Sequence, residues 1–157
     1  MNIRKAQERD LPVVLDLIGE LARFENEAEA VVVSLEELRR DGFGSDPQFW
    51  IIVAEVDQVV VGMAFYYFRY STWKGRTIHL EDLIVRESHR GSGVGYALYS
   101  EVIKRGAEEG VRRIEWAVLD WNEAAIRFYE KTGAQILRDW HLVQMDQQGI
   151  TNFIARL

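Results

Sequence analysis

The stretch from Thr77 to Leu119 restricts the fold more than any other part of this chain. Residues 77–85 read as a strand that runs through Arg86 to Arg90 into Gly91-Ser92-Gly93-Val94-Gly95. Residues 93–109 follow as a helix, with Val94, Ala97, Leu98, Val102 and Ile103 at helical spacing and expected to face inward. Residues 112–119 read as a strand again. A strand, a helix and a strand in succession imply a parallel crossover, because a tight turn cannot join parallel neighbours.

The remaining segments arrange themselves around that unit. Residues 2–6 make a short strand-like opening. Asp10 is expected to cap a helix over 11–24, with Pro12 in its first turn and Leu11, Val14, Leu15, Ile18, Leu21 and Ala22 along one stripe. Ser34 and Glu37 form a capping box for a second helix through Arg40, and Gly42 is expected to stop it. Residues 49–55 and 59–70 are rich in β-branched and aromatic side chains and read as a hairpin joined across Val56-Asp57-Gln58. A helix over 122–132 closes at Gly133, and 140–145 read as a late strand; the residues after it are ambiguous. The two prolines, Pro12 and Pro47, mark no linker, and no repeat appears, so one domain over 1–157 is the expectation. The order predicts an α+β fold: an otherwise antiparallel sheet with one parallel strand pair, the expected place for an active site.

The glycine turn narrows the chemistry. A Gly-rich turn at a helix N-terminus exposes backbone N–H groups, and the helix dipole adds partial positive charge. Glycines tolerate positive φ and let phosphate oxygens approach the backbone, while Arg90 adds a cation. A Walker A loop is excluded, since no Lys-Ser/Thr follows the glycines. A dinucleotide fingerprint lacks its third glycine, because position 96 is Tyr. On spacing alone, a phosphate site and a plain connection both remain open.

The other compositional signals are exclusions. No apolar run approaches the ~20 residues of a membrane span, and no signal peptide is visible, so a cytoplasmic protein without membrane partners is expected. The absence of cysteine rules out disulfides and thiolate chemistry. Net charge is -6, from 25 acidic and 19 basic residues, which argues against nucleic acid. It suits a cationic substrate drawn to an acidic site, and equally a protein kept soluble by its charge.

Arg90-x-x-Gly93-x-Gly95 resembles the Gln/Arg-x-x-Gly-x-Gly/Ala motif of the GNAT acetyltransferases, and the element order is theirs as well. The chain is most similar to the spermidine/spermine and thialysine N-acetyltransferase branch. The similarity is carried by Tyr70-Ser71-Thr72-Trp73-Lys74-Gly75-Arg76, Leu80-Glu81-Asp82, Val118-Leu119-Asp120-Trp121-Asn122 and Phe128-Tyr129-Glu130-Lys131-Thr132-Gly133-Ala134. Asp41-Gly42-Phe43-Gly44 and Val53-Ala54-Glu55 add to it. The resemblance implies helices on both faces of the sheet, a splayed parallel strand pair, acetyl-coenzyme A as co-substrate, no metal, and a small-molecule amine acceptor. It also implies a homodimer, for which Phe65, Trp116 and Phe153 are candidate interface residues. The same chemistry on protein lysines or N-termini, or acyl-coenzyme A sensing without turnover, are the competing readings.

Residue roles follow from the same resemblance. An alkyl amine with pKa near ~10.4 arrives protonated and needs a base. Glu81 is the implied base, acting through water, and Tyr129 the implied acid for the departing thiolate. Adjacent residues on a regular strand point to opposite faces, so Glu81 and Asp82 are expected to diverge. Asp82, Phe24, Glu25 and Trp73 are implied in the amine site. Leu83, Ile84, Val85, Arg90, Gly91, Ser92, Gly93, Val94, Gly95, Asn122, Ala125 and Tyr129 are implied on the cofactor. Asn122 and Tyr129 also read, from the residues themselves, as an N-cap and a half-buried aromatic. His79, His89 and His141 form no metal-ligand pattern and read as solvated or core residues.

One departure bears on the acceptor. Relatives carry a longer acidic Glu-Glu-Gly-Trp turn where this chain has Leu137-Arg138-Asp139-Trp140-His141. The loss of acidic groups favours short diamines or lysine-like amino acids over long polyamines.

Overall fold

The hairpin strands are buried in continuous runs, residues 51–54 and 60–64, as a sheet covered on both faces requires. In the computed structural model, which describes residues 1–157, strands β1 (Asn2–Lys5), β2 (Trp50–Val56), β3 (Val59–Ser71), β4 (Gly75–Val85) and β5 (Ile114–Glu115) form one sheet in sequence order. The first four are antiparallel, and β4–β5 is parallel, as the crossover required. Asp57 and Gln58 close the β2–β3 hairpin with φ of 49° and 64°. Positive φ at both central residues matches the turn to the strand twist. The fold is the expected α+β class.

The chain divides into two units, Met1–Ala117 and Val118–Leu157. In the first, α1 (Leu11–Phe24) and α2 (Leu35–Phe43) cover one face of the sheet. Leu11, Val14 and Leu17 join Leu38, Ile51, Val53, Met63 and Ile84 in one core. The opposite face is covered by α3 (Val94–Glu108), whose Leu98 lies over Gly62 and whose Gly106 lies against Ile114. Each fully buried Leu or Val contributes roughly 1.5–3 kcal/mol. That exceeds the ~1 kcal/mol of a cap, so packing rather than capping holds α1. In the second unit, α4 (Glu123–Lys131) is capped by Asn122, and α5 (Gln147–Ile154) by Asp146.

Several local expectations are corrected. Asp10 occupies the N-cap position of α1 as expected, but its side chain makes no cap hydrogen bond; its carboxylate accepts instead from Arg4 Nη1 at 2.7 Å, Arg4 Nη2 at 3.0 Å and the Gln7 backbone N–H at 2.7 Å. Arg4, hydrogen-bonded this way, also holds the Asp10 carboxyl below its usual range. The capping box at Ser34 and Glu37 is present, but α2 passes through Gly42 to Phe43. Gly42 serves packing instead, since a Cβ there would collide with the Phe49 ring. Ile103 is exposed, and Tyr99 and Gly106 supply the buried surface of α3 that its place on the stripe was expected to give. The last strand of the crossover shrinks to Ile114–Glu115. Residues 140–145 form no strand at all: Leu142 and Val143 are exposed, and a strand without a partner cannot satisfy its backbone.

Candidate active site

A break in the β3–β4 ladder fixes the direction of the acidic side chains. Phe65 pairs with Asp82 and Tyr66 pairs with Leu80, so Glu81 is an extra residue in a β-bulge. A bulge interrupts the period of two and re-aims side chains. The divergence expected of Glu81 and Asp82 therefore does not occur. Asp82 lies opposite Phe65, and Glu81 Oε2 sits 3.5 Å from Nε2 of His79, the cross-strand partner of Tyr67. Phe65 and Tyr67 are two residues apart on β3, so both acids share one face of the sheet.

The electrostatics reflect that crowding. Burial pushes the Asp82 carboxyl up to about 7, with the charges of Glu81 and then Glu25 adding to it. Glu25, at the C-terminal end of α1, is itself raised by the side chains that partly enclose it and by Glu27. Three carboxylates thus meet where α1 ends over β4, although no trio of side chains is arranged to hold a metal ion. Such a cluster is suited to a compact organic cation.

Glu81 has partners that the sequence reading passed over. The Tyr67 hydroxyl is raised first by burial and then by the charge and hydrogen bonding of Glu81. Arg69 Nη1 lies 3.2 Å from His79 Nδ1 and pairs with Glu115 Oε1 at 2.5 Å. The spacing Tyr67–Arg69 on one strand and His79–Glu81 on the next was the available signal, since period-two neighbours share a face.

Beyond the bulge, β4 ends at the glycine turn. β5 pairs with β4 only at Ile78 and His79, so Leu83, Ile84 and Val85 have no strand beside them on that edge. Gly91 and Gly93 have φ of 75° and 86°, and an added Cβ at either would meet nothing within 4 Å. Gly93 is the N-cap of α3 and provides no side-chain acceptor. The N–H groups of Val94 and Gly95 therefore start the helix without a cap, the usual setting for an anion. Ser92 Oγ donates to His89 O at 2.6 Å, bracing the turn. Arg90 is turned back rather than outward: its Nε donates to Val85 O at 3.0 Å, and its guanidinium lies 5.4 Å from the Phe24 ring.

The other predicted residues are placed as follows. Trp73 is exposed at the tip of the β3–β4 hairpin, before β4 begins at Gly75, which itself is six residues or roughly 20 Å along the strand from the bulge. It is not brought to the acidic cluster of its own chain. In the second unit, Asn122 Oδ1 accepts from Ala125 N at 3.2 Å, which satisfies the capping role read from its type. Tyr129 is buried on the same face of α4, with its ring against Phe128. Of the three interface candidates, Phe65 packs on Phe49 and Trp116 on Tyr99, so only Phe153 is exposed.

Comparison with known proteins matches this arrangement to a family. The model of the acetyltransferase (GNAT) family matches residues 14–134. The chain is 40% identical to a thialysine N-epsilon-acetyltransferase of Bos taurus, over 98% of this chain and 97% of that one. It is 35% identical to a human spermidine/spermine N(1)-acetyltransferase-like protein 1, over 94% of this chain and 23% of that longer one. Among solved structures, an integron cassette protein of V. cholerae superposes with a TM-score of 0.79 at 22% identity, covering 98% of this chain and 96% of that one. That last likeness shows the fold. With the family model and the full-length relatives in agreement, the chain belongs to the GNAT family and is an N-acetyltransferase.

Proposed function

We propose that this enzyme transfers the acetyl group of acetyl-coenzyme A to the terminal primary amine of a short aliphatic molecule, a thialysine- or lysine-like amino acid in preference to a long polyamine. The observation that carries the reading is the bulge at Glu81, which turns Glu81 and Asp82 to one face beside Glu25. A cationic amine entering that face meets carboxylates on two sides. The names of the full-length relatives point to the same substrate class.

Each group then has one task. Asp82 and Glu25 hold the ammonium. Glu81, through water, takes the proton that leaves the nitrogen. The positive-φ turn and the N–H groups opening α3 fit a pyrophosphate, and the open edge at Leu83, Ile84 and Val85 fits an extended pantetheine arm. Acetyl-coenzyme A, when bound, supplies an activated thioester and departs as a thiol. Tyr129 holds the proton for that sulfur, and Asn122 and Ala125 line the arm. Arg90 supports the turn by tying Val85 to α1. The enzyme works as a homodimer, with the exposed apolar side chains of α5 in the interface.

The test is a panel of thialysine, lysine, ornithine, short diamines, spermidine and lysine-bearing peptides, with acetyl-coenzyme A and continuous detection of free thiol. The expected order places lysine-like amino acids first in kcat/KM and spermidine well behind. Acetylation of peptides with no thiol release from any free amine would sink the proposal.

A further inference from the structure

Glu81 is held by a histidine that no mechanistic role yet accounts for. His79 lies on β4 two residues before Glu81, faces Tyr67 across the ladder with ring centroids 5.1 Å apart, and has its side chain mostly buried. Its two nitrogens meet different chemistry. Nδ1 is 3.2 Å from Arg69 Nη1, and Nε2 is 3.5 Å from Glu81 Oε2. A guanidinium has only donors, so Nδ1 must accept. The ring proton then has to sit on Nε2, directed at the Glu81 carboxylate.

We propose that His79 is a positioning residue for the catalytic base, locked by Arg69 in the tautomer whose Nε2–H faces Glu81. This rests on the assignment of Glu81 as the base. A proton relay running out through the ring is ruled out by the same geometry, because Arg69 does not release a proton to pass it on. Arg69 is fixed in turn by Glu115 of β5. The result is a fixed chain in which Glu115 anchors Arg69, Arg69 donates to His79, and His79 turns its remaining N–H to Glu81, the carboxylate that takes up the amine proton. Its Nε2–H orients that carboxylate. The contact is long, as such bonds commonly are before substrate tightens them.

The charged and titratable groups around the ring are Tyr67 and Arg69 from β3, Glu81 from its own strand and Glu115 from β5. Burial is the largest influence and lowers the imidazole below its usual value, while the two carboxylates oppose that and Arg69 reinforces it. A neutral ring through the working pH range is the consequence.

Two measurements test the proposal. In 15N-labelled enzyme, the His79 ring is expected to show an unprotonated Nδ1 and a protonated Nε2 through pH ~6.5, the ordinary histidine value. In R69M the ring is expected to gain a proton near that value. In steady-state kinetics, H79F is expected to lose about tenfold in kcat and keep its KM for acetyl-coenzyme A. H79Q, which retains an N–H donor, is expected to recover part of the loss. A wild-type ring protonated at Nδ1, or an H79F enzyme with unchanged kcat, overturns the proposal. An E81Q enzyme with wild-type turnover overturns the base assignment and His79's catalytic part together. That failure is distinguishable, because the tautomer is read without turnover.

Discussion

Asp82 carries the most consequential single charge in the site. Folding raises its carboxyl from the ordinary 3.8 to about 7, mainly through burial. The folded protein therefore keeps a proton that the unfolded chain gives up between those values. The associated stability is whole below about pH 4 and is lost as pH climbs to about 7. The difference corresponds to on the order of 4 kcal/mol at full ionisation. D82N is thus expected to melt several degrees above the wild-type protein at pH 8 and level with it near pH 4, at 2–4 °C per kcal/mol for a chain of roughly this size; thermal denaturation at the two pH values checks it. On the proposed function the same variant is expected to raise the KM for the amine, since the carboxylate that destabilises the empty site is then the one assigned to the ammonium. Function and stability oppose each other at this residue.

At the level of elements, the turn into α3 separates two kinds of glycine. Gly93 has φ of 86°, so any side chain there is strained whatever space surrounds it. A non-glycine residue in left-handed backbone costs roughly 1–2 kcal/mol. Gly95 has ordinary backbone, and a Cβ would touch Val85 Cγ2 at 3.6 Å, an unstrained contact. G93A is expected to lose both melting temperature and coenzyme A affinity, and G95A to keep both; calorimetric titration with coenzyme A beside a melting curve separates them. The turn and the helix after it were legible in the sequence, as were α1, the β2–β3 hairpin and the caps at Ser34 and Asn122, because each is written in local spacing. The bulge at Glu81 was not. Its cause lies in the register against β3, and a period-two reading of Leu80-Glu81-Asp82 sends the acids apart. Residues 140–145 failed for the opposite reason: Leu142, Val143 and Met145 have strand composition, but only a neighbouring strand could have made them one. Arg90 was identified as a cation near phosphate, whereas its hydrogen bond to Val85 O depends on tertiary placement that no spacing encodes.

For the molecule as a whole, exposed apolar surface is concentrated in the last forty residues. Trp140, Leu142, Val143, Met145, Ile150, Phe153, Ile154 and Leu157 are all more than half exposed. Ile150, Phe153 and Ile154 fall on one stripe of α5 by their spacing. A monomer rarely keeps so much apolar surface in water. Sedimentation is expected to give twice the 18.2 kDa chain mass, and a double F153D/I154D substitution to shift the distribution towards the single chain. A wild-type monomer at micromolar concentration would remove the dimer from the proposal. The short β5 has a consequence of another kind. β4 has no strand paired to its β5-side edge along Leu83, Ile84 and Val85, and open sheet edges recruit strands from other chains. On the proposed reading the coenzyme arm occupies that edge in the working enzyme. Starved of acetyl-coenzyme A, a cell would then hold this protein in its least soluble form, so the metabolite that supplies the acetyl group would also act as the protein's guard against clumping.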